Sequence, residues 1–226
     1  MTEPDVTLSD FILAVECAVF VALIWRCRDA SPQLRAWLLV YFAAAGVASF
    51  SGGLVHGFFL AADSLGRAIC WPLALLAVGI NSLAAIAIGA LLLFSRQIAR
   101  SLTLLGALVL SAYAIAVLAG VETFFVAVAV ALPAAILLFA ALLIARWRDS
   151  RPGALLAASG IAITMLAAFV QQLGLAANSE YFNHNATAHV VQMVALALFF
   201  AGCVRLLSSN DVDFNGSISC LHDASF

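Results

Sequence analysis

The feature that most constrains this chain is a succession of stretches containing no Asp, Glu, Lys or Arg, at 36–62, 68–95, 101–121, 123–145, 153–177 and 185–204. A helix that crosses the hydrocarbon core needs about 20 apolar residues at about 1.5 Å each. Every one of these runs reaches that length, and residues 11–25 are apolar apart from Glu16. Seven spans follow, near 8–26, 35–61, 67–94, 98–120, 122–146, 152–176 and 185–207. The runs are continuous, whereas barrel strands alternate apolar and polar residues. The reading is therefore an all-α integral membrane bundle.

Charge supports this class. Charged residues make up 10% of the chain, against roughly a quarter in ordinary soluble domains. The connections between spans are short, so residues 1–207 read as one transmembrane domain and 208–226 as a polar, mobile, cytoplasmic tail. No Lys or Arg precedes the first apolar run, so no cleavable signal peptide is expected.

All the basic residues are arginines. Arg26, Arg28 and Arg35 fall between spans one and two, Arg96 and Arg100 between three and four, Arg146, Arg148 and Arg151 between five and six, and Arg205 ends span seven. The opposite connections and the N-terminus carry mainly acids, among them Glu3, Asp5, Asp10, Asp63 and Glu122. The positive-inside bias puts the N-terminus outside and the C-terminus in the cytoplasm.

Lysine is absent, which removes the Schiff base a retinal protein requires. No phosphate-binding glycine loop, HExxH or GxSxG signature occurs, and there is no basic patch for nucleic acid. Membrane lipids are the expected surroundings and partners. The cysteines are scattered without a CxxC pair and read as small packing residues.

Polar groups within spans are costly, so their depth is informative. Glu16 lies about two turns into span one. Ser49, Ser51 and His56 lie in the outer half of span two, Gln171 and Gln172 close span six, and Asn185, His189 and Gln192 open span seven. All fall on one side of the midplane, which suggests a cavity open to the outer face. Spacings of four and three put Asn185, His189 and Gln192 on one stripe. Ser49 and His56, seven apart, share a face with Gly52 and Gly53 between them. His184 sits about 140° from His189 if both are helical at ~3.6 residues per turn, so it joins the stripe only from the loop or an irregular helix start.

His56 and His189 end up at the same side of the membrane and meet if spans two and seven are neighbours. Together with His184 they are candidate ligands for Zn²⁺, which takes neutral imidazoles in tetrahedral sites and lowers the pKa of bound water. Glu16 is a candidate general base. Ser49 or Ser51 would stabilise the bound water or an oxyanion. Two histidines facing across a gap would also serve as axial haem ligands.

This layout resembles the seven-span hydrolase superfamily often called CREST, which includes the alkaline ceramidases and the adiponectin and progestin receptors. Its members carry Ser-x-x-x-His in span two, an Asp in or near span three, and His-x-x-x-His early in span seven. His56 matches the span-two histidine and His189 the second span-seven histidine. Gly52 stands in place of the motif serine, Asn185 in place of the first span-seven histidine, and Asn81 is the clearest polar residue of span three. The segment Phe182 to Gln192 is similar to an "FNHN…H…Q" segment of uncharacterised bacterial proteins. The resemblance implies a bacterial inner-membrane enzyme that hydrolyses lipid-like amides or esters with zinc. The residues by themselves leave open a protein without catalysis, whose polar layer binds a lipid or small ligand or only joins helices.

Overall fold

The computed structural model describes residues 2–27, 31–151, 153–178 and 182–208, with the backbone alone at Phe124 and Ser208. The expected polar tail beyond residue 208 lies outside the described residues. Among these residues the fold is all-helical, with seven helices, each long and apolar enough to cross a membrane: α1 Pro4–Arg26, α2 Pro32–Phe58, α3 Leu65–Leu93, α4 Arg96–Leu118, α5 Phe124–Asp149, α6 Ala154–Gln172 and α7 His184–Ser208. The chain is a membrane protein.

Local chemistry sets where the helices begin and stop. Pro4 and Pro32 occupy the first turns of α1 and α2, where a missing N–H costs nothing, and both helices start a few residues before the apolar run does. The Ser64 hydroxyl caps α3 by accepting from Arg67 N at 3.0 Å. Asn183 caps α7, its Oδ1 accepting from Asn185 N at 2.9 Å and Ala186 N at 3.1 Å. Span six, expected to reach residue 176, stops at Gln172, and Gly174 follows with a φ of +66° that ends helical geometry.

The helices close a ring in the order α1, α2, α3, α5, α6, α7 and back to α1, while α4 packs outside it against α3. Helices in lipid gain little from hiding apolar surface, so close packing has to hold them. It is tightest between α6 and α7. A Cβ on Gly202 would stand 2.3 Å from Ala157 N, and one on Gly160 would stand 2.5 Å from Phe199 N. Lower in the ring, Phe20 stacks on Phe200 at 4.3 Å between centroids, and Phe42 lies edge-on to Phe20 at 5.3 Å. On α4, Leu104, Leu105, Leu108, Ile115 and Leu118 are exposed, as suits a helix that faces lipid.

Candidate functional site

The site begins with how α1 sits in the ring. Three glycines near the end of α2 let α1 come close: a Cβ on Gly53 would meet Phe11 Cε1 at 2.9 Å and Asp10 Cβ at 3.0 Å, and one on Gly57 would meet Thr7 Cγ2 at 2.8 Å. Gly52 faces the Asp10 carboxylate, whose Oδ2 would be 3.3 Å from an added Cβ. Backbone bonds from Thr2 N to Gly57 O and from Glu3 N to His56 O, both 3.2 Å, pin the start of α1 to the end of α2. Across the other side, Asp5 Oδ2 accepts from Asn183 N at 3.0 Å, just before α7.

α1 thus lies between the two histidines that the sequence pairs, and it braces each. His56 Nδ1 bonds the Glu3 carboxylate. His189 Nδ1 lies 3.1 Å from Ser9 Oγ and 3.5 Å from Asp10 Oδ1. The Ser9 hydroxyl hydrogen is spent on Val6 O at 2.9 Å, so Ser9 Oγ accepts and Nδ1 is the nitrogen that carries the proton. A neutral imidazole then has its lone pair on Nε2. The same logic holds at His56, where Nδ1–H donates to a carboxylate. Neither Nε2 has a hydrogen-bond partner among the described residues.

The expected direct meeting of His56 and His189 takes a different form. The backbones of α2 and α7 stay apart with α1 beside them in the ring, and the two helices meet through Tyr41 and Phe42 against Phe199 rather than at the histidines. Both rings instead border one cavity of about 390 Å³, together with Asp10, Ser49, His184 and Asn185. His184 joins because it is the first residue of α7, where the chain has just left the loop. Gln171 and Gln172 line the same space. Gln171 Nε2 donates to Asn185 Oδ1 at 3.1 Å, which ties α6 to α7. Gln192 lies one level deeper, in an adjoining cavity of about 230 Å³, and donates to Thr164 Oγ1 at 3.1 Å.

Two expected members are elsewhere. Ser51 is buried and borders a groove between α1 and α2 with Phe11 and Phe50, away from the histidines. Glu16 is not among the residues that line the histidine cavity; its Oε2 is buried without a hydrogen-bond partner. Asn81 donates to Tyr41 O at 2.8 Å and borders the deeper cavity rather than the upper one.

The members that sequence reasoning missed are Glu3, Ser9 and Asp10, which look like the solvated polar residues of a terminus. Asp10 is 4% exposed, and its Oδ2 has no partner.

The chemistry open to this arrangement is bounded by geometry. Ser9 and Asp10 both approach the same nitrogen of His189, whereas a nucleophile–base–acid relay needs them on opposite nitrogens. Nor do the side chains fit a three-ligand zinc centre as arranged: among the described residues no three His, Cys, Asp or Glu side chains gather where one ion could bind them. What remains is a pair of carboxylate-braced imidazoles, each with a free basic nitrogen, in a cavity that also holds a buried carboxylate.

A family model matches residues 6–208. The chain belongs to a family of unknown function (DUF6962). The match runs from the first turn of α1 to the end of α7, so both histidines and the Ser9 and Asp10 that brace His189 lie within the DUF6962 region, whereas Glu3 lies just before it. No curated protein and no solved structure matches the chain.

Proposed function

We propose that this chain takes a lipid-like amphiphile from the bilayer, holding its polar end in the histidine cavity and its apolar part deeper in the ring. One observation carries the reading: three cavities adjoin one another, sharing lining residues, in a series from polar to apolar. Ser49, Val78 and His189 border both the upper and the middle one. Tyr41, Asn81, Thr164 and Ala168 border both the middle one and a third, of about 280 Å³, between α3, α5 and α6. The third is lined almost wholly by apolar side chains, including the exposed Leu132 and Phe169 at its α5 and α6 edges. A concave apolar space ending in a few polar groups is the usual form of a small-molecule site. The arginine asymmetry supports an outward-facing upper cavity, and the similarity of Phe182 to Gln192 to a segment of bacterial proteins supports the inner membrane of a bacterium.

The test is photo-crosslinking of purified protein with a lipid that carries a diazirine in its chain. Label should map to α5 and α6 peptides near Ala131 and Ala168, and Ala168→Trp should abolish it by filling the junction. Labelling spread along α4, unchanged by Ala168→Trp, would overturn the reading.

The fixed tautomer of His189 favours a second reading, hydrolysis of an amide or ester within the bound amphiphile. Nε2 would take a proton from water as the oxygen attacks the carbonyl carbon, and would return it to the departing nitrogen or oxygen. Asp10 and Ser9 would orient the ring, and Ser49 would donate to the developing oxyanion. Release of a fluorescent leaving group from a long-chain ester or amide, lost in His189→Gln, tests it. Equal turnover in that variant would remove it.

A further inference from the structure

Counting donors and acceptors in the upper cavity says what kind of polar group belongs there. Asp10 lines the cavity, is 4% exposed, and leaves Oδ2 with no partner. An unsatisfied buried carboxylate oxygen is expensive. On the same wall His189 offers Nε2 as an acceptor, because its Nδ1 proton is committed to Ser9 and Asp10. His56 offers another, its Nδ1 being held by Glu3. Two donors nearby are spent, Trp71 Nε1–H on Glu122 O at 2.9 Å and Gln171 Nε2 on Asn185 Oδ1, while the Ser49 hydroxyl and the Gln172 amide border the space with no bond among the described residues. No Lys or Arg lines the space. The acceptors left open on this wall are Asp10 Oδ2 and the two imidazole Nε2 atoms.

We infer that the polar end of the ligand is a primary amine, bound as an ammonium between Asp10 Oδ2 and the Nε2 atoms of His189 and His56. An ammonium brings three N–H donors and no acceptor, which complements Asp10 Oδ2 and the two Nε2 atoms, and a cation beside Asp10 favours the ionised carboxylate. An ionised carboxylate or phosphate headgroup brings acceptors only, which would leave both Nε2 atoms unpaired. Gly52 is part of the same design. A side chain there would stand against Oδ2, in the space the ammonium needs.

This rests on the amphiphile reading above, and one experiment separates the two. Equilibrium binding of radiolabelled dodecylamine and dodecanoic acid is measured on the full chain in zwitterionic nanodiscs, with empty nanodiscs subtracted. The amine should bind at least ten-fold tighter than the acid. Asp10→Asn should erase that preference, and Gly52→Ala, which keeps the carboxylate but crowds Oδ2, should weaken the amine without strengthening the acid. Saturable binding of both at equal strength, or a preference that survives Asp10→Asn, would overturn the amine assignment and leave the amphiphile reading standing. Saturable binding of neither would sink both. If Asp10→Asn fails to fold, the Gly52→Ala result decides: an unchanged preference there overturns the assignment.

Discussion

Ser9 Oγ and His189 Nδ1 stand 3.1 Å apart although 180 residues separate them, and that contact engages Nδ1 and leaves Nε2 as the nitrogen without a partner among the described residues. It also ties α1 to α7 at the seam that closes the ring. Removing the hydroxyl leaves only the longer approach to Asp10 Oδ1 at 3.5 Å. Ser9→Ala should therefore cost about 1 kcal/mol, the usual net worth of one such hydrogen bond. Reversible unfolding in mixed detergent measures it. In a double-mutant cycle with His189→Ala the two losses should fail to add; full additivity would mean that the contact does no stabilising.

Between α6 and α7 the limiting contact is backbone against backbone. A Cβ on Gly202 would meet Ala157 N at 2.3 Å and Ala157 Cα at 2.7 Å. Gly202→Ala should destabilise by about 1–3 kcal/mol, the cost of overpacking a tight contact. Adding Ala157→Gly should not restore stability, because the nearest obstructing atoms are main chain. Recovery in the double variant would show that the helices can part more easily than this packing allows.

How far the sequence reaches is clearest at α2. The uncharged run between Arg35 and Asp63 announces a span, yet the helix starts at Pro32, because a proline suits a first turn regardless of the apolar pattern. Helical arithmetic pairs Ser49 with His56. The same arithmetic puts Ser51 about 140° from His56 at 3.6 residues per turn, and Ser51 indeed faces another groove. That separation was legible and unused. Asp10 was not legible in the same way. A charge beside a terminus looks solvated, and only the approach of α1 to Gly52 and Gly53 buries it. The order of helices around the ring, which puts α1 between the two histidines, is a property of tertiary packing that span lengths do not contain.

Zinc content gives a third prediction. The resemblance to the CREST hydrolases implies three histidine ligands, whereas no three metal-ligating side chains gather among the described residues. Protein purified with zinc in the medium should therefore not hold one ion per chain in a way that depends on His184. Elemental analysis of His56→Ala, His184→Ala and His189→Ala checks it. One zinc per chain, lost in all three variants, would require His184 to move in beside the other two rings.

Orientation follows from the arginines. Those between α1 and α2, α3 and α4, and α5 and α6 share one end of the bundle, and the histidine cavity lies at the other. With the positive end inside, as the arginines predict, the cavity would face out. In a background without native cysteines, Ala62→Cys, exposed beyond the end of α2, should react with a membrane-impermeant maleimide on intact cells. Ser95→Cys, exposed between α3 and α4, should react only after the membrane is opened. The reverse pattern would turn the protein over. The cavity would then draw its ligand from the cytoplasmic leaflet, and the amphiphile to test would be one enriched there.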